Sequence, residues 1–295
     1  MSKKFKHRIE YGGVRFIYAL NRLFPHRLAI LFADCLALFG FYVIRMRRSV
    51  TLDNLRNAFG DKSEKELRKI AYSAYKQFSR MMFEYARFPY FTDKEIIKKV
   101  ALENEHVLKE SLERGKGAII VSGHFGNWEL MAAGIARHGY PVSLLVGEQK
   151  NKMVDDAMNN FRKEKGMGII KMGVAARGVI KAVRDNNFVA LLSDQDAGRL
   201  GTFVDFFGRK ASTPGGTAAF ALKTGADVIF SITLRIGKCN HKVILEKVEY
   251  DDIKDEGKTA IAELTQRYTS RLEHYVREYP DHYFWMHKRW KSKPE

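Results

Sequence analysis

Apolar and polar positions along this chain change their period twice, and each change marks a different kind of structure. In residues 14–24, VRFIYALNRLF, the apolar side chains Val14, Phe16, Ile17, Leu20, Leu23 and Phe24 recur at helical spacing, and Pro25 ends the run. That pattern predicts an amphipathic helix. Leu28 to Ile44 then forms a run of 17 mostly apolar residues, interrupted by Asp34 and bounded by Arg27 and by Arg45-Met46-Arg47-Arg48. As a helix it reaches roughly 25 Å, short of the roughly 30 Å hydrocarbon core of a bilayer. Its basic flanks suit an anionic membrane face, so we expect a membrane-associated anchor, with a buried core helix as the alternative. Residues 51–100 read as helical. Ser63 and Glu66 form a capping box, and Leu67, Ile70, Ala71, Ala74, Phe78, Met81, Met82 and Tyr85 continue as a helical stripe.

From about residue 115 the period shortens. GAIIVS, PVSLLV, GIIKM and FVALLSD are strand-like, and each is followed by a helical stretch: one through Met131 and Ala136, then Lys152–Lys165, Val174–Arg184 and Gly215–Lys223. DVIFSITLRI and HKVILEKVEY follow, the second alternating and so expected antiparallel, before a helix over about 257–279. Strands alternating with helices predict an α/β fold with a mostly parallel central sheet flanked by helices. The expected organisation is residues 1–50 as membrane-associated helices and 51–295 as one α/β domain, led by a helical part over 51–115.

Composition narrows the partners. The 295 residues carry 51 Lys plus Arg against 34 Asp plus Glu, a net charge of +17. Such a surplus favours acidic partners: nucleic acid, an anionic membrane, or phosphorylated substrates. No aromatic-basic recognition motif supports nucleic acid. Cys35 and Cys239 stand outside any CxxC, which argues against a disulfide framework or a structural zinc site. The basic start lacks the apolar core and cleavage site of a signal peptide. With no GxGxxG and no P-loop, no nucleotide cofactor is indicated.

In open α/β sheets, sites gather at the carboxyl ends of strands. Two polar clusters fall there: Gly123-His124-Phe125-Gly126-Asn127-Trp128-Glu129 after AIIVS, and Ser193-Asp194-Gln195-Asp196 after FVALL. His124 and Glu129, five apart, would not share one face of a continuous helix. They meet if His124 sits on a glycine-bracketed turn and Glu129 on the first turn of the helix, where Glu129 would orient the imidazole as a general base. With no G-x-S-x-G elbow and no cysteine nearby, the nucleophile would be a substrate hydroxyl. The spacing alone leaves open a surface histidine beside a capping glutamate. Asp194 and Asp196 also form a D-x-D, which a metal-dependent glycosyltransferase would use. A non-catalytic basic protein is the third reading of the same residues.

GHFGNWE resembles the H-x4-D/E block of the glycerolipid acyltransferase superfamily, in the form found in bacterial lipid A biosynthesis acyltransferases. LLSDQDAGRLGTFVDFFGRKASTPGGTAAFALKTGADV resembles that family's second region, and YPDHYFWMHKRWKSKP its closing block, with Trp285, His287, Arg289 and Trp290 in place. The glycerolipid branch has a Pro-Glu-Gly-Thr-Arg block where this chain reads Asp194-Gln195-Asp196-Ala197-Gly198, which favours the lipid A branch without fixing the acceptor. The resemblance implies acyl transfer from acyl carrier protein or acyl-CoA to a hydroxyl of a lipid A precursor or related glycolipid, without a cofactor, at the cytoplasmic face of the inner membrane. It implies His124 as base and Glu129 as orienter. Oxyanion donors are expected from the backbone at Gly126 and Asn127. Asp194 and Gln195 are expected to position groups in the same crevice, and Arg162 to lie near the site. Arg199, Arg209 and Lys210 are expected to meet head-group phosphates. A groove lined by Phe and Met is expected to take the acyl chain.

Overall fold

The computed structural model describes residues 3–23 and 25–294, leaving aside the side chains of Lys3, Lys4, Leu20, His26 and Arg27; Phe24 lies outside the described residues. Helices α1 (Lys3–Leu23), α2 (His26–Leu38), α3 (Arg48–Ala58), α4 (Glu64–Arg87) and α5 (Asp93–Lys99) come first, followed by strand β1 (Val100–Glu103) and α6 (His106–Glu113). The alternating part runs β2 (Ala118–Ser122), α7 (Trp128–Arg137), β3 (Val142–Val146), α8 (Lys152–Glu164), β4 (Gly168–Lys171), α9 (Ala175–Arg184) and β5 (Phe188–Leu192). A hairpin of β6 (Thr202–Phe206) and β7 (Arg209–Thr213) leads to α10 (Gly216–Thr224), β8 (Asp227–Ile236), β9 (Asn240–Val248) and α11 (Gly257–Glu278).

The main sheet has seven strands in the order β1-β9-β8-β2-β5-β3-β4. Every neighbouring pair is parallel except β8 with β9, the antiparallel pair expected from the alternating pattern. Ala118–Ser122 is buried at every position, which is why it reads as a continuous apolar run: helices cover both faces. Ala118 and Ile120 pack with Leu130 and Ala133 of α7. Ile119 and Val121 pack with Ala218 and Ala221 of α10 and with Leu264 of α11. β2 connects through α7 to β3 on one side of the sheet, whereas β5 connects through α10 to β8 on the other side of β2. The strand order therefore reverses between β2 and β5, and ligand crevices form outside the carboxyl ends of strands at such a point.

The amino-terminal helices lie against α4. Asp34, the one charge inside the apolar run, is met by Arg80 through two bonds of 2.6 Å. Asn21 donates to the Phe83 carbonyl at 2.6 Å. The helix through the run does not stay straight: α2 ends at Leu38, a π-helical turn covers Phe39–Ile44, and Arg45 and Arg47 take left-handed backbone conformations. Among the described residues no single helix is long and apolar enough to cross a membrane; Leu28–Ile44 and α3 meet at 95°.

Candidate active site

β2 and β5 are hydrogen-bonded neighbours with Ser122 opposite Leu192, and the Ser193 N–H extends the ladder to the Ser122 carbonyl at 2.8 Å. His124 and Asp194 each stand two residues beyond those paired ends. Their side chains meet across the gap, His124 Nδ1 to Asp194 Oδ1, at 2.7 Å. Asp194 is 2% exposed and the His124 side chain 21%. Burial lowers the imidazole pKa, but the charge and hydrogen bond of Asp194, with Glu129 behind them, raise it more, so the ring titrates above the ordinary histidine value. Burial likewise works against the Asp194 charge, and His124 outweighs it, holding the carboxyl below its usual range. An ionised Asp194 can only accept, so Nδ1 carries the proton and Nε2 keeps its lone pair. Trp128 stands edge-on to the ring at 5.0 Å, and Phe284 lies 6.1 Å away on a tilted plane.

The expectation that Glu129 orients the imidazole is corrected by this geometry. Glu129 is held by Arg162, Nη2 to Oε1 at 2.5 Å and Nε to Oε2 at 3.0 Å. This two-point pair is 9% and 12% exposed, a fork geometry that lysine cannot reproduce. Arg162 also donates to Asn159 Oδ1 at 2.9 Å. Glu129 acts on His124 only through its charge. Both members of the pair face the same crevice as His124.

Gly126 is required by the turn. It sits at φ +61°, and a Cβ there would stand 1.8 Å from the Thr233 carbonyl oxygen. Its N–H donates to the His282 carbonyl at 2.8 Å, which corrects the expectation that it serves an oxyanion. The Phe284 N–H in turn donates to the His124 carbonyl at 2.9 Å, so the closing segment of the chain clamps the turn from both sides. Asn127 is 1% exposed. Its Oδ1 caps α7 at the Leu130 N–H (3.1 Å) and its Nδ2 donates to Glu84 Oε2 (2.8 Å). Any contact of Asn127 with substrate therefore falls to its backbone.

Gln195 does reach the ring: its amide nitrogen is 3.3 Å from His124 Nε2, a long bond that an incoming hydroxyl can replace. Asp196 also lines the crevice, but its carboxylate is taken up by Ser292 N and Oγ (each 2.9 Å) and Gly198 N (3.1 Å). The two carboxylates of the D-x-D thus point to separate partners. Arg199 and Arg209 are exposed, and neither is among the residues lining the crevice. Lys210 pairs with Asp205 at 3.1 Å. That region's sequence motif instead shapes the β6–β7 hairpin. Arg289, 2% exposed, donates to the Ser212 carbonyl and Thr213 Oγ1, each at 2.6 Å, and lies over the Phe206 ring.

Several supporting residues carried no signal in the sequence. Glu84 on α4 gathers Arg235 (2.5 and 2.8 Å), His241 (3.2 Å) and Asn127, the last of them on the turn that carries His124. Burial opposes the Glu84 charge, yet His241 and Arg235 hold it well below the carboxylate range. The crevice itself encloses about 590 Å³. Away from His124 its walls are mainly aliphatic, including Leu144, Leu145, Leu191 and Leu192, with Met131, Met172 and Phe220.

The site thus presents a largely buried imidazole held by a carboxylate at Nδ1, touched at Nε2 only by the long Gln195 contact, and lining a mainly apolar crevice. The family model for bacterial lipid A biosynthesis acyltransferases matches residues 1–292, and the chain belongs to that family. It is 28% identical to a lipid A biosynthesis acyltransferase of Haemophilus influenzae, over 84% of this chain and 79% of that protein. It is 22% identical to the lipid A biosynthesis palmitoleoyltransferase of Escherichia coli, over 85% and 81%. A phosphatidylinositol mannoside acyltransferase of Mycolicibacterium smegmatis is 26% identical, but the match spans only 40% of each chain.

Proposed function

We propose that this acyltransferase moves a fatty acyl group from a thioester, on acyl carrier protein or coenzyme A, to a hydroxyl of a lipid A precursor or related glycolipid. The observation that carries the reading is the His124–Asp194 bond, which fixes the tautomer of a base facing the crevice. His124 Nε2 takes the hydroxyl proton as the oxygen attacks the thioester carbon. A tetrahedral oxyanion forms beside Arg162, whose charge opposes the one developing there. The C–S bond then breaks, and the thiolate leaves with the proton returned by the imidazolium, so the ester and free thiol are the products. Asp194 stabilises the imidazolium throughout.

Membrane association is part of the same reading. Leu31, Phe39, Val43 and Ile44 are 48–61% exposed, and exposed apolar groups that cluster on one segment mark an interaction surface. Arg45, which follows Ile44 in the chain, is exposed as well. Such a face suits interfacial docking onto anionic lipid, here assigned to the cytoplasmic leaflet of the inner membrane. The surplus of +17 also favours an acidic carrier protein.

Purified protein in vesicles, given labelled acyl carrier protein or acyl-CoA with an under-acylated lipid A precursor or a phosphatidylinositol mannoside, tests the reading. One donor–acceptor pair should yield an ester stable to thiol. Hydrolysis of both donors with no transfer to either acceptor would sink it.

A further inference from the structure

A second apolar cavity is lined by Tyr18 and Tyr85, on which the charge of Glu129 acts, and by the α8 residues that precede Arg162. It encloses about 790 Å³ against about 590 Å³ in the catalytic crevice, both within the roughly 300–1,000 Å³ of small-molecule sites. α8 explains why the two are neighbours. Val154, Met158 and Arg162 are four residues apart and share one helix face. Val154 and Met158 line the second cavity, whereas Arg162, with Glu129, lines the crevice.

The cavity has a polar end and an apolar mouth. Asn21, on α1, is 4% exposed, and its Oδ1 has no hydrogen-bond partner among the described residues. The buried Tyr85 hydroxyl on α4 is likewise unpartnered among them. Both residues line the cavity. Burial, then the charge of Glu129, raises the hydroxyl pKa of Tyr85 and pushes that of Tyr18 up to about 12, which sets this end beside the ion pair. Unpartnered buried polar atoms are uncommon in folded proteins and call for a partner. A hydroxyl that can donate and an amide oxygen that accepts suit the ester or amide linkage of an acyl chain. At the other end, Ile17, Leu36, Phe39 and Met82 both line the cavity and stand 46–55% exposed. They are continuous with the apolar face that carries Leu31 and Val43.

We propose that this cavity binds one non-reacting acyl chain of the lipid acceptor, admitted from the bilayer between α1 and α2, with its linkage end against Asn21, Tyr85 and the Glu129–Arg162 pair. The proposal rests on the acyl-transfer reading above. The reacting chain must bring its carbonyl to His124, and His124 lines the crevice, not this cavity. A chain held here therefore belongs to the acceptor, and it places the acceptor's head group at the partition between the two spaces.

The test uses the full chain in vesicles with a lipid A precursor whose acyl chain bears a diazirine near its end. After photolysis, adducts are mapped by mass spectrometry. Adducts on Met82, Val154 or Met158 that unlabelled precursor competes away are the expected result. Adducts confined to outward residues such as Leu31 and Val43, or lining adducts that precursor does not displace, overturn it. This readout needs no turnover, so it is separable from a failure of the acyl-transfer reading. In the transfer assay, Met158→Trp should lower the preference for a full-chain over a short-chain acceptor about tenfold, comparable to losing roughly two buried methylenes. An equal fall on both acceptors would also overturn the assignment.

Discussion

His124 and Asp194 lie 70 residues apart in the chain and 2.7 Å apart in space, because each stands two residues beyond the paired ends of adjacent parallel strands. The sheet, not a local motif, builds this pair. The pH behaviour of the enzyme follows from that bond.

The imidazole must be neutral to accept a proton, and its pKa is raised in the fold, so kcat/KM should rise with pH through a value above the ordinary histidine range of about 6.5. Asp194→Asn removes the charge that raises the pKa and leaves the burial that lowers it. The acid limb should then move to lower pH, while kcat/KM falls about 10³- to 10⁴-fold from loss of the correct tautomer. A pH–rate profile checks both, and an acid limb that stays in place in the variant argues against the assignment.

Glu129 and Arg162 should behave as one unit. Replacing either by Gln strands the other as a buried charge, at a cost of about 3–5 kcal/mol. The double substitution should cost clearly less than the sum of the two singles, as denaturant melts of all four proteins would show. Additive effects would mean that the pair seen in the structure is not what holds either residue.

Gly126→Ala forces a side chain into a left-handed backbone position and against the Thr233 carbonyl. The conformation alone costs about 1–3 kcal/mol, and the clash adds to it. Thermal denaturation should show a Tm several degrees lower, with transfer activity lost because the turn carries His124. An unchanged Tm would contradict the turn geometry.

Glu84 ties α4 to the turn that carries His124, through Asn127. Its pKa is depressed in the fold, so its contribution is present above the unfolded value of about 4.3 and is lost as pH falls below it. Glu84→Gln should cost about 3–5 kcal/mol at neutral pH by removing the carboxylate that balances the buried Arg235 charge. The gap from wild type should narrow below about pH 4. Urea titrations at both pH values measure it, and a gap independent of pH would point to a packing role alone.

The sequence made the parallel part of the sheet readable because its strands are covered on both faces and stand as unbroken apolar runs between helical stripes. The expected helix at Lys152–Lys165 matches α8 to within one residue. β1 escaped notice because it has four residues, of which only Val100 is buried. The β6–β7 hairpin does not stand out as strands in the sequence, because Asp205, Arg209 and Lys210 sit at its exposed positions. His124, Asp194 and Gln195 were legible together, since strand-end position and family blocks both pointed to them, whereas Arg162, inside α8, was expected from the resemblance alone. Their pairing was not legible. Local spacing favours Glu129 as the partner of His124, and only the strand order, which no local pattern carries, brings Asp194 into that place. The Glu84–Arg235–His241 cluster is drawn from three distant elements, none with a distinctive pattern around it.

The most direct test of the account is single-turnover acyl transfer by wild type and His124→Gln, with an acyl thioester donor and a lipid A precursor in vesicles. Wild type should transfer, undiminished by chelator, and a His124→Gln protein that melts like wild type should lose at least about 10²-fold. Transfer at the wild-type rate without the imidazole would show that His124 is not the base and that the chemistry lies elsewhere in the fold.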